Sequence, residues 1–164
     1  MTRYVPIVLT VYIAFVFIQS LFFKFAGAPE TVVIFSTLDQ WASDTVGVSG
    51  LFNPGGIFSA HVIGSAELVA SALLIAGLLP RFRLAGLAGS VLALGIISGA
   101  IVFHLFSPLG VVVGDEPIAA ELGVASDGGL LFGMAVGVFL ASLALTWLRR
   151  DAVPGVVTET VAIR

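Results

Sequence analysis

Ile57 to Leu79 reads IFSAHVIGSAELVASALLIAGLL. This run matches the roughly 20 apolar residues that a helix needs to cross the hydrocarbon of a bilayer. It also carries two ionisable side chains, His61 and Glu67. A carboxylate at the centre of a membrane helix costs about 2.5–3.5 kcal/mol on insertion scales, so it is expected to face the protein interior and to take a partner. Glu67 follows His61 by six residues. That sets it about 9 Å deeper and roughly 120° further round the helix. Both can line one broad interior face without touching. Ser65 and Ser71 each lie one turn further on, where a local hydrogen bond is within reach.

The rest of the chain supports a membrane setting. It has 164 residues, 59% of them hydrophobic and 10% charged, and its mean hydropathy is +1.14. A soluble domain carries about 25% charge, so this composition cannot cover a water-facing surface. The net charge is −3 and no basic run points to nucleic acid. The absence of Cys excludes thiol–disulfide chemistry, thiolate metal sites and iron–sulfur clusters on this chain.

Further apolar runs flank the first. Residues 4–23, 84–106 and 128–148, with 57–79, predict four spans in a single domain over 1–150, followed by a cytoplasmic tail over 151–164. Ala26-Gly27-Ala28 looks like a signal-peptide cleavage site, but the first apolar run is longer than a typical 7–15-residue signal core, so a retained helix is expected. Between spans one and two, Pro29-Glu30 starts a helix in which Val33, Phe35, Leu38 and Trp41 mix with Ser36, Asp39 and Ser43. This predicts a short amphipathic helix at the interface, with Trp41 at headgroup level. Ser107 to Asp127 reads as a long loop. Gly129, Gly133, Gly137 and Ala141 form a small-residue row on the last span, and Ala85, Gly89 and Ala93 form one on the third. Such rows let helix backbones approach closely in lipid. The expected fold class is all-α: an integral membrane antiparallel four-helix bundle with the short interfacial helix between spans one and two.

Four spans place Arg3, Arg81, Arg83, Arg149, Arg150 and Arg164 on one side and only Lys24 on the other. By the positive-inside rule the arginine side is cytoplasmic, which predicts a bacterial-type cytoplasmic membrane with both termini inside. Lys24, His61, Glu67, His104 and Asp127 then all fall in the outer half and form the expected polar pocket. Each has an ordinary alternative. Lys24 can anchor at the interface, the histidines can sit as interfacial polar groups, and Asp127 can cap the last helix. Glu67 is too deep to reach water easily; a Lys24–Glu67 contact is within reach if Lys24 points inward, and such a pair can also be purely architectural.

Several motifs carry a family resemblance. Lys24-Phe25-Ala26-Gly27-Ala28-Pro29-Glu30 after a first span resembles the K-[FL]-x-G-x-P signature of DoxX-like membrane proteins. Ala66-Glu67-Leu68, Gly77 to Arg81 (GLLPR), His104 followed by Pro108-Leu109-Gly110, and Asp127-Gly128-Gly129-Leu130-Leu131-Phe132 continue the pattern. The resemblance covers about residues 5–148 and does not include His61. It implies a four-helix membrane bundle and, more loosely, redox association. The wider group includes a thiosulfate:quinone oxidoreductase subunit, relatives linked to amine-dehydrogenase maturation, and members associated with oxidative-stress defence. The expected function is a quinone-linked membrane subunit. His104 or His61 would bond a quinone carbonyl, Glu67 would relay protons, and a redox partner protein would supply electrons. A small-solute or proton pathway, and a structural or assembly role with no catalysis, stay open. So do a metal or haem on His61 and His104 and a homo-oligomer through a glycine face.

Overall fold

The computed structural model describes residues 4–152. Over this range the chain forms six α-helices and no strand: α1 (Val5–Ala26), α2 (Pro29–Val46), α3 (Ala60–Ala76), α4 (Arg83–Phe106), α5 (Pro117–Leu122) and α6 (Leu130–Arg149). Arg3 and all of the predicted tail beyond Ala152 lie outside the described residues.

Three helical segments are long and apolar enough to cross a membrane: Val5–Ala26, Pro80–Phe106, which includes a 3₁₀ turn at Pro80–Phe82, and Leu130–Ala152. The fourth apolar helix, Ala60–Ala76, has 17 residues and is shorter than the expected 57–79 span. Its start is fixed by Ser59, whose hydroxyl accepts the Val62 N–H, an N-cap that keeps Ile57 and Phe58 outside the helix. At the other end Gly77 to Leu79 turn into the Pro80–Phe82 segment. Phe15, Phe22, Leu68, Val69, Leu105 and Leu140 are among many large apolar side chains left exposed on these helices. Apolar exposure on this scale suits contact with a lipid bilayer.

α1 packs against α3 and α6, and α4 packs against the same two helices. Ile13 and Phe17 of α1, Leu74 of α3, Ile97 of α4, and Val138 and Leu145 of α6 form the core between them. The closest approaches use two of the expected small residues, Gly89 and Gly137, and one outside the rows, Gly86. On α4 a Cβ at Gly89 would meet the α3 backbone, 2.8 Å from Leu74 N and 3.0 Å from the Ala70 oxygen. Gly86, one position from the expected Ala85, lies against Gly77 across the connector. On α6 only Gly137 is tightly opposed, by the Tyr12 hydroxyl, whereas Gly133 faces open space and Gly129 lies outside the helix at φ 85°. Spacing alone marks a small-residue row but does not say which turn of it faces a neighbour.

A second core caps one end of these helices. Val33, Leu38 and Ala42 of α2 pack with Phe52, Leu109, Val113 and Ala119. The expected interfacial helix is thus 18 residues long and turns its apolar side into this cap. Trp41 meets Phe103 edge-on, with ring centroids 6.1 Å apart. The segment expected to be a loop contributes α5 and much of the cap core. Two aspartates hold the cap's turns. The Asp39 carboxylate accepts the Gly50 and Phe52 N–H groups at 3.2 and 3.0 Å. Asp127 accepts those of Val113, Gly129 and Leu131 at 2.8, 2.9 and 2.9 Å.

Candidate functional site

α1 ends at Gly27, whose left-handed backbone (φ 63°) stops the helix and lets α2 begin at Pro29. Lys24 therefore lies in the last turn of α1, opposite the first half of α3. Its Nζ is 2.8 Å from Glu67 Oε2 and 3.0 Å from Oε1. The two side chains are 16% and 8% exposed. Ser20, one turn before Lys24, closes the group: its hydroxyl accepts from Lys24 Nζ at 3.0 Å. That hydroxyl lies 2.7 Å from both Glu67 Oε2 and the Phe17 carbonyl, and its single proton can serve one of them at a time. All three ammonium protons of Lys24 thus have acceptors. The sequence reading missed Ser20, although its spacing of four from Lys24 on an apolar helix is a usable signal.

His61 lies six residues before Glu67, in the first turn of α3. It is exposed, and its ring stacks on Phe25 at 5.7 Å with an interplanar angle of 24°. Its ring nitrogens make no hydrogen bond among the described residues. Phe25 also fits against Gly64, where an added Cβ would come within 3.1 Å of its ring. Phe25 also lines a shallow apolar groove of about 400 Å³ along α1, with Ile18, Leu21, Phe22 and Ala26. Ser65 and Ser71 do not bond the His61 and Glu67 side chains. Their hydroxyls donate to those residues' backbone carbonyls, at 2.7 and 2.8 Å.

His104 and Asp127 belong to the cap. His104 is buried, its Nδ1 is 2.6 Å from the Gly110 carbonyl, and its ring meets Phe132 edge-on at 5.6 Å. A carbonyl only accepts, so Nδ1 carries a proton. Asp127 is half-buried. Burial alone would raise its carboxyl. The Leu131, Gly129 and Val113 N–H groups and the nearby His104 outweigh this and hold it below its ordinary 3.8. The five residues expected in one pocket therefore form two groups: Lys24, Glu67 and Ser20 with His61 alongside, and His104 with Asp127 in the cap. No three His, Cys, Asp or Glu side chains converge as a metal site among the described residues.

At the opposite end, Arg149 of α6 donates to the Gly86 carbonyl of α4 at 2.9 Å and to Thr10 Oγ1 of α1 at 3.0 Å, joining three helices. In the sequence Arg149 had registered only as part of the charge asymmetry. Compared with known proteins, the chain matches no family model, no curated protein and no solved structure.

Proposed function

We propose that this chain is a DoxX-like integral membrane protein, an antiparallel four-helix bundle in a bacterial-type cytoplasmic membrane with both termini cytoplasmic, acting as a quinone-linked subunit of a redox system. The order of its motifs from Lys24 to Phe132 supports the family reading, and the arginines at one end support the orientation. The observation that carries the quinone reading is the seam of α1 and α3. There the exposed His61 ring, free to bond a carbonyl, stacks on a phenylalanine of an apolar groove beside a buried ion pair. An isoprenoid tail fits such a groove, and a headgroup would meet His61. Reduction of a quinone takes up two electrons and two protons. A partner oxidoreductase would supply the electrons, and Lys24 and Glu67 would relay protons. Since His104 is buried, with its Nδ1 bonded to Gly110, the exposed His61 takes the contact that either histidine was expected to make.

The test is titration of a short-chain benzoquinone into the protein in lipid nanodiscs. Saturable binding that is lost in His61→Ala and Phe25→Ala but kept in His104→Ala is expected. Absent binding, or binding unchanged in His61→Ala, would reject the reading. One observation favours an assembly role instead: Lys24, Glu67 and Ser20 satisfy one another, as a pair that only fixes helix register would.

A further inference from the structure

A groove of about 730 Å³ lies between α2 and residues 108–118, separate from the α1–α3 seam. That volume falls within the roughly 300–1,000 Å³ of small-molecule sites. Its charged lining residues are all acidic: Asp44, Asp115 and Glu116. Trp41, Pro108 and Ile118 supply apolar wall.

Glu116 is the unusual member. It is 8% exposed, and its Oε2 accepts the Gly114 N–H at 2.8 Å. Its Oε1 is buried with no partner. The other cap carboxylates with backbone partners, Asp39 and Asp127, use both oxygens. A buried carboxylate oxygen without a donor is costly, and folded proteins leave few of them. The groove supplies no lysine or arginine to it. A metal ion would find too few ligands, because no three acidic or histidine side chains converge among the described residues. What the walls lack is a positively charged N–H donor carried on an apolar body, and Trp41 is the aromatic residue of the lining, the kind of ring such cations pack against.

We infer that the groove between α2 and residues 108–118 binds an organic ammonium ion, with Glu116 as the acceptor, Asp115 and Asp44 supplying field, and Trp41 packing on its apolar part. This does not depend on the quinone reading.

The chain has two tryptophans, so a Trp147→Phe background leaves Trp41 as the sole indole. In that background, in nanodiscs, benzylammonium chloride is titrated and Trp41 emission is followed, with benzyltrimethylammonium and benzyl alcohol as matched probes lacking the N–H donor or the charge. A saturable change is expected with benzylammonium and a weaker one with each control. Glu116→Gln should weaken benzylammonium binding about tenfold or more, as loss of a charge-assisted hydrogen bond does. Asp115 is exposed, so Asp115→Asn tests the same field without threatening the fold and should weaken binding severalfold. An equal response to either control, or unchanged binding in a folded Glu116→Gln, would overturn the inference. If Glu116→Gln does not fold, unchanged binding in Asp115→Asn would overturn it.

Discussion

Lys24 Nζ and Glu67 Oε2 lie 2.8 Å apart across the seam of α1 and α3, joining residues 43 positions apart in the chain. Removing one member of a buried pair leaves the other charge uncompensated, at about 3–5 kcal/mol. Glu67→Gln and Lys24→Met should each lower stability by about that much in detergent. The double variant should recover most of the loss, giving a coupling above about 1 kcal/mol in a double-mutant cycle. Additive losses would mean that the two charges act separately.

The glycines separate close packing from coincidence of spacing. Gly89→Ala drives a methyl group into the α3 backbone and should cost about 1–3 kcal/mol. Gly133→Ala meets open space in a helix and should be neutral or stabilising by up to about 1 kcal/mol. Thermal unfolding of the two variants checks both. Equal losses would reject the packing described for α4.

Asp127 sets the acid limb of stability for the cap. Its carboxyl is held below the ordinary value, so the folded state binds protons less readily than the unfolded state. The contribution is fully present above the unfolded value of about 4 and is lost as pH falls through the lowered folded value. Asp127→Ala should cost about 1–3 kcal/mol at neutral pH, through its three backbone N–H partners, and should flatten the fall in stability below about pH 4. Unfolding curves measured across that pH range test this. An unchanged acid limb would contradict it.

The chain has no native cysteine, which leaves a clean background for topology mapping. A membrane-impermeant maleimide on intact cells should label Ser126→Cys in the cap and spare Arg81→Cys at the arginine end. The reverse pattern would overturn the proposed orientation.

The apolar runs alone located the principal helices, because 20-residue stretches of this composition have few other uses. A carboxylate within one of them made Glu67 conspicuous, and Lys24 was its plausible partner by depth. Ser20 stayed hidden because a serine in an apolar helix commonly bonds its own backbone. The cap was harder to read. Leu109, Val113 and Ala119 lie in a Gly- and Pro-punctuated stretch with no sustained period, so nothing local marks them as core facing α2. The single pocket expected from shared depth became two groups because rotation about each helix axis was unknown. His104 turns towards Gly110, while His61 faces outward.

The most direct measurement is native mass spectrometry with lipid extraction on gently purified wild-type protein, His61→Ala and the Lys24→Met/Glu67→Gln double variant, read beside their thermal stabilities. A co-purified quinone is expected on wild-type protein, lost from His61→Ala and kept by a stably folded double variant, whose two residues relay protons and do not hold the headgroup. A quinone-free wild type, or a His61→Ala variant that keeps its quinone, would contradict this and leave the ion pair as a lock between two helices.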